Sequence, residues 1–285
     1  MSKFLYKIDF AVVISVKNAN PNGDPLNGNR PRENYDGYGE ISDVCIKRKI
    51  RNRLQDMGQE IFVQSDERRT DTFRSLKDRA DGCEELKKSN KNKEKYATLA
   101  CEKWIDVRSF GQVFAFKAGE DNSVSIGIRG PVSIHSAVSI SPIEISSMQI
   151  TKSVNGETGK DPDKKGADTM GMKHKVEFGV YVTYGSINTQ LATKTGFSQE
   201  DSDLIKKVLI TLFENDCSSA RPDGSMEVSK LYWWKHNTQI GKYSSAKVHR
   251  SLQIVTTVET PKSINDYNIS NEMLDGVTLE IYDGI

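Results

Sequence analysis

The sequence predicts an α+β fold built on a largely antiparallel sheet. Apolar side chains recur at every second position near the N-terminus, as a half-buried strand requires. Strands and helical stripes follow in blocks instead of alternating one for one, which argues against a parallel βαβ sheet. Two β-branched segments flank a long polar tip, which reads as a projecting hairpin, because loops of that length inside a domain are usually functional or disordered.

Taken in order, Phe4 to Val16 carries apolar residues at the even positions (Phe4, Tyr6, Ile8, Phe10, Val12, Ile14, Val16). It is expected to be a strand with one face in the core, although Leu5, Ala11 and Val13 blur the other face. Asn18 to Pro31 is crowded with Asn, Gly and Pro and is expected to be a long loop that joins neither helix nor sheet. A helix follows from Asp43 to Met57, capped by Ser42 or Asp43, with Ile46, Ile50, Leu54 and Met57 as its buried stripe. Asp66 to Lys95 is dense in charges of both signs and reads as a solvent-exposed helical insertion; Tyr96 to Asp106 regains a stripe and reads as a second helix.

Val124 to Ile140 is strand-like and broken at Gly130-Pro131, and Ile143 to Thr151 and Lys173 to Tyr184 are two further strands. Between those two lies the glycine-rich tip, Lys152 to Met172. Ser198 to Asp216 is the clearest helix, opened by Ser198 and Asp201 in the pattern of a capping box. Arg221 to Gly224 is a turn, Glu227 to Trp234 a strand, and Val277 to Tyr282 a last strand. No repeat or low-complexity linker divides the 285 residues, so one elaborated domain spanning 1–285 is expected.

A charged fraction of 28% against 36% apolar is ordinary for a soluble globular chain and excludes wholesale disorder. No apolar run approaches a membrane span, and Lys7 and Asp9 interrupt anything like a signal peptide. Four scattered cysteines and four isolated histidines form neither a disulfide framework nor a zinc signature. The expectation is a soluble cytoplasmic protein with no metal and no cofactor. Net charge is only +1, yet five bases stand against Asp43 from Asp43 to Arg53, and six acids stand against Lys262 from Glu259 to Ile285. Such unlike poles suit a polyanion at one end and a second copy of the chain at the other, with a merely solvated charged face as the favoured alternative for either cluster taken singly.

Catalytic signatures are missing. Gly156-Glu-Thr-Gly159-Lys160 has the wrong spacing and the wrong setting for a phosphate-binding loop, and Glu84 with Glu85 cannot converge from adjacent helical positions. The helix that opens after the polar loop is better equipped: its N-terminal amides suit a phosphate, and Lys47 and Arg51 stand one turn apart on the same flank, with solvation of an amphipathic helix as the equal alternative.

Six segments stand in a common order: NPNGDP from Asn20, SDVCIKRKIRN from Ser42, DVRSFGQ from Asp106, IGIRGPV from Ile126, SMQITKSVN from Ser147 and ARPDGSME from Ala220. Together they resemble the repeated backbone subunit of type I CRISPR surveillance complexes (Cascade), most closely subtype I-C. The resemblance implies an RNA-recognition-motif-like, ferredoxin-like palm, with residues 62–105 as fingers and residues 150–175 as a projecting thumb hairpin. It implies no enzymatic activity of its own. Copies would stack along CRISPR RNA, whose bases then pair with target DNA, while the protein holds backbone and shape. Implied partners are further copies of the chain, a guide-handle-binding subunit, a large subunit and, indirectly, a recruited nuclease-helicase in a prokaryotic cytoplasm.

By position, Ser42, Lys47 and Arg51 match the family's phosphate contacts on its first helix. Asn22, Arg48, Lys152 and Lys173 complete the basic and polar candidates. Arg108 and Arg129 lie in matched loops, with internal salt bridging as the alternative. Phe110 is a candidate for stacking on a base, with core packing as the favoured alternative. Met148, Met170 and Met172 lie on or near the hairpin, where a flexible polarizable side chain suits a wedge beside a displaced base. For Met148, on a strand, core burial is the favoured alternative. The rival reading is a guide-directed ribonuclease like the related type III subunits, for which Asp24 and Asp43 are the nominated acids; a generic single-strand RNA-binding protein is the other.

Overall fold

β-branched and aromatic residues crowd Ile8–Ala19, and this segment forms the central strand β1. The computed structural model describes residues 2–89, 92–115, 125–154 and 170–285. After β1 come a short ladder of β2 (Gly23–Asp24) with β3 (Arg30–Pro31), strand β4 (Tyr38–Ile41) and helix α1 (Asp43–Asp56). Helices α2 (Leu76–Asp81), α3 (Glu84–Ser89), α4 (Lys93–Lys103) and α5 (Ile105–Phe110) lead to β5 (Gly111–Ala115) and β6 (Ser125–Arg129). Then follow β7 (Val132–Ile134), β8 (Ala137–Pro142), β9 (Ile145–Thr151) and the 18-residue β10 (Met170–Ile187). The remainder is α6 (Thr189–Thr195), α7 (Gln199–Ile210), β11 (Met226–His236), α8 (Ser245–Ser251), β12 (Leu252–Thr256), β13 (Tyr267–Asn271) and β14 (Val277–Asp283).

The main sheet runs β14-β11-β1-β10-β8-β4, with β7 and β9 also paired to β10, and every pairing in it is antiparallel. On one face Ile8, Phe10, Val12, Ile14 and Val16 pack with Ile46, Ile50 and Leu54 of α1 and with Ile205, Val208 and Leu209 of α7. On the other face Ala11 and Val13 pack with Val182, Tyr232 and Trp234 beneath Val248 of α8 and the β12–β13 hairpin. β1 is therefore buried on both faces and not on one. The small apolar residues that blurred its alternation are the second core.

Other expectations are corrected in the same way. Asp66–Lys95 is not a bare exposed insertion, because Phe62, Ala80, Leu86, Tyr96, Trp104 and Phe114 close a third apolar cluster. These residues are spread through charged sequence and converge only in three dimensions. The helix expected over Tyr96–Asp106 breaks at Trp104, whose backbone is extended (φ −116°, ψ 120°). The polar loop is not outside all regular structure: Asp24 accepts from the Leu26 amide at 3.2 Å to cap a turn, and Asn20 donates to the Asn29 carbonyl at 2.7 Å. α7 stops at Ile210, short of Asp216, although its capping box at Ser198 and Asp201 forms as expected.

Candidate nucleic-acid interface

Ser42 caps α1, its hydroxyl accepting from the Cys45 amide at 3.2 Å. Its own amide donates to Asn22 Oδ1 at 2.9 Å, so two of the candidate residues hold each other and fix the loop against the helix. The Asp43 amide donates to Ser136 Oγ at 3.3 Å. Much of the first turn is thus already hydrogen-bonded within the chain.

The cations of α1 turn inward. Lys47 pairs with Asp43 at 2.9 Å and, at 26% exposed, stays more open to solvent than Lys49, Arg51 or Arg53. Arg48 donates to the Val63 carbonyl at 2.7 Å; burial, with Arg51 nearby, lowers its pKa. Lys49 is buried against Asp216, and burial lowers its pKa in spite of that partner. Arg51 reaches Asp106 at 2.9 Å and lies over the Phe110 ring at 5.1 Å. Asp106 is 1% exposed and also accepts the Phe62 and Val63 amides at 2.8 and 3.1 Å. Arg53 binds Thr211 at 2.9 Å and pairs with Glu214. Lys49, Arg51 and Arg53 are therefore paired with acids far away in sequence, Lys47 with a neighbour on its own helix, and Arg48 with a backbone carbonyl.

The acidic C-terminal run is met likewise. Glu280 pairs with Lys206 at 3.0 Å, Asp283 with Lys230 at 2.6 Å, and Asp275 with Lys242. Asp266 accepts the amides of Lys262 and Ser263, which hold its carboxyl below the usual range. Neither predicted pole survives as a block of bare charge.

Arg108 clasps Asp201 through two bonds of 3.0 and 2.7 Å, the internal salt bridge that was its alternative role. Phe110 is half-buried and packs on the main core. Arg129 is exposed at the end of β6, opposite Gly111. Here two matched segments interlock: a Cβ on Gly130 would come within 2.3 Å of the Ser109 carbonyl oxygen, so only glycine permits the approach.

The hairpin behaves differently. β9 and β10 pair from Val176 opposite Ile145 out to Met170 opposite Thr151. Register partners share a face, so Met148 and Ile150 lie on one face with Lys173, and Met170 and Met172 on the other. Met148, Met170 and Met172 are 45%, 67% and 56% exposed, which overturns the expected core burial of Met148. Its strand has left the sheet, so alternation no longer means burial. Lys152 follows just beyond β9. The rest of the predicted tip, residues 155–169, lies outside the described residues.

Apart from Arg108, spent on Asp201, and Arg129, on β6, the candidates fall into two groups. Asn22, Ser42, Lys47, Arg48, Arg51 and Phe110 line α1 and its approaches, and Met148, Lys152, Met170, Met172 and Lys173 occupy the hairpin. Sequence reasoning missed the residues between them. Arg30 donates to Ser147 Oγ at 3.1 Å, Ser147 meets His174 Nδ1 at 2.7 Å, and Lys175 donates to Asn18 Oδ1 at 2.6 Å. No local spacing announces these long-range contacts.

An antiparallel sheet covered on both faces, with a strand pair projecting from it, is the class of architecture on which the comparisons with known proteins bear. Residues 6–272 match the family described as CRISPR-associated protein Cas7, and the chain belongs to that family. It is 27% identical over 238 residues to the CRISPR-associated protein Cas7 of Haloferax volcanii, covering 75% of this chain and 66% of that protein, just under two thirds of the relative's length. Among solved structures, a chain of a CRISPR RNA-guided surveillance complex in a pre-nicking state aligns with a TM-score of 0.48 and 14% identity, over 80% of this chain and 75% of that one. A chain of another CRISPR RNA-guided surveillance complex aligns with a TM-score of 0.45 and 14% identity, over 80% and 68%.

Proposed function

We propose that this chain is a guide-RNA-binding backbone subunit of a Cascade-like type I-C complex, laid head to tail along CRISPR RNA and without catalytic activity of its own. The observation that carries the reading is the hairpin, whose methionines are held in solvent on both faces of a ribbon that stands off the sheet. Exposed methionines cost solvation unless something covers them, and their flexible thioethers suit nucleobases. The order β11-β1-β10-β8, with α1 and α7 on one face, supports an RNA-recognition-motif-like palm. Such palms commonly stack bases on the open face of the sheet. Here Tyr232 and Trp234 on that face are sealed beneath α8 and β12–β13, which directs RNA to the α1 side and the hairpin. On this reading residues 62–105 are fingers, residues 150–175 a thumb, and the setting a prokaryotic cytoplasm. Among the described residues no helix is long and apolar enough to cross a membrane.

Two acids speak against the ribonuclease reading. Asp24 caps a turn and pairs with Arg32 at 3.3 Å, and Asp43 pairs with Lys47. Both serve local structure. The test is co-expression with companion subunits and sequencing of the copurified nucleic acid. One short, uniform RNA is expected; heterogeneous fragments would reduce the chain to a generic single-strand binder. Regular-interval cleavage of complementary RNA with a divalent metal, abolished by Asp24→Ala or Asp43→Ala, would replace the scaffold by an enzyme.

A further inference from the structure

The β1–β10 register ends at Ala19 opposite Val176, and beyond that point β10 pairs only with β9 among the described residues. A two-stranded ribbon is weakly stable alone and twists readily, so its direction needs side contacts. They occur at the first two pairs outside the sheet, one on each face. At the pair Ser146–Lys175, Lys175 Nζ reaches Asn18 Oδ1 at 2.6 Å. At the pair Ser147–His174, Arg30 Nη1 reaches Ser147 Oγ at 3.1 Å, and the same hydroxyl meets His174 Nδ1 at 2.7 Å.

Asn18, near the end of β1, and Arg30, at the start of β3, bracket one polar loop. The loop is itself held at its middle, where Asn22 Oδ1 accepts the Ser42 amide at the start of α1. Asn18 has φ +55°, a backbone setting that asparagine tolerates better than most residues. Asn18 is exposed and Arg30 half-buried, so neither is spent on the core.

From this we infer that Asn18 and Arg30 are positioning residues: the loop is a two-sided clamp that sets the angle of the β9–β10 hairpin relative to α1, and thereby the spacing at which the hairpin meets RNA. The clamp rests on the reading that the hairpin contacts RNA only for its last step. Its mechanical part is independent of any ligand.

The experiment follows both parts. Spin labels on keto-bearing residues incorporated at Val44 and Met172 report the angle by pulsed distance measurement in the full chain. Arg30→Ala with Asn18→Gly removes both grips while keeping the left-handed backbone at position 18. The distance distribution should broaden with the thermal midpoint unchanged, and Asn18→Asp, which keeps an acceptor for Lys175, should restore that grip. Ser147→Ala, which removes the shared hydroxyl, should broaden it from the other side and serves if the double variant fails to fold. An unchanged distribution in both would overturn the clamp. In the assembled complex, chemical probing of the copurified RNA should lose its regular spacing in the double variant. Broadened distances with regular spacing retained would overturn the link to RNA and leave the mechanical clamp standing. No copurified RNA with the unaltered chain would overturn the proposed function instead and leave the mechanical clamp standing.

Discussion

On α1 all the cations but Lys47 turn inward to partners brought from elsewhere in the chain; on the β9–β10 hairpin the methionines turn outward to solvent. Arg51 and Lys49 are nearly buried with Asp106 and Asp216, whereas Met170 and Met172 are more than half exposed. The contrast teaches that residue type is a poor guide to role once position is known. A cation whose partner is a buried carboxylate holds the fold, and a methionine kept in water is available for recognition.

The contrast breaks most visibly at Asp106. Asp106→Ala should cost about 3–5 kcal/mol in urea denaturation, because it strips Arg51 of its partner and orphans two backbone amides. A loss below about 1 kcal/mol would mean that α1 is not held from within.

On the hairpin the balance reverses. Met170→Ser with Met172→Ser should leave stability within about 0.5 kcal/mol, as expected for exposed positions. Binding to RNA should weaken by about 0.3–1.5 kcal/mol for each thioether removed, read by filter binding. A large drop in stability with unchanged binding would make the methionines structural.

The second face of the sheet supplies a pH test of the inward pattern. His249 stacks on Tyr184 with ring centroids 4.8 Å apart, and burial pushes its pKa below the ordinary 6.5 in spite of Asp9. The unfolded chain therefore binds the proton first, and stability should fall as pH drops below 6.5, by less than about 1.4 kcal/mol per pH unit. His249→Gln should flatten this limb in denaturant titrations between neutral and mildly acidic pH. An unchanged slope would remove His249 as its cause.

Lys47 sharpens the comparison from the other direction, as a cation of α1 that stays partly open to solvent. Lys47→Ala should change stability by less than about 0.5 kcal/mol but lower the salt slope of RNA binding by about one charge. An unaltered slope would assign Lys47 to its pair with Asp43 alone.

Local patterns were legible wherever a residue's neighbours in sequence are also its neighbours in space. The Ser42 cap, the Ile46–Ile50–Leu54 stripe, the capping box at Ser198 and the antiparallel hairpin all obey spacing rules that the chain carries along its length. The six ordered segments marked the family that residues 6–272 match. Helix α8 and the β12–β13 pair went unread because each is short and takes its stability from packing on the sheet.

The sequence by itself determined the class of fold, the existence of the long first strand and the paired strands that flank the polar tip, because periodicity and turn chemistry are short-range; where that first strand sits in the sheet it left open. Only the tertiary structure decided which charges are free, since Coulomb partners such as Lys49 and Asp216, or Arg108 and Asp201, lie 167 and 93 residues apart. It alone decided that β1 is covered on both faces and that Met148 faces water. Burial depends on what packs against a surface, and that is settled by elements distant along the chain.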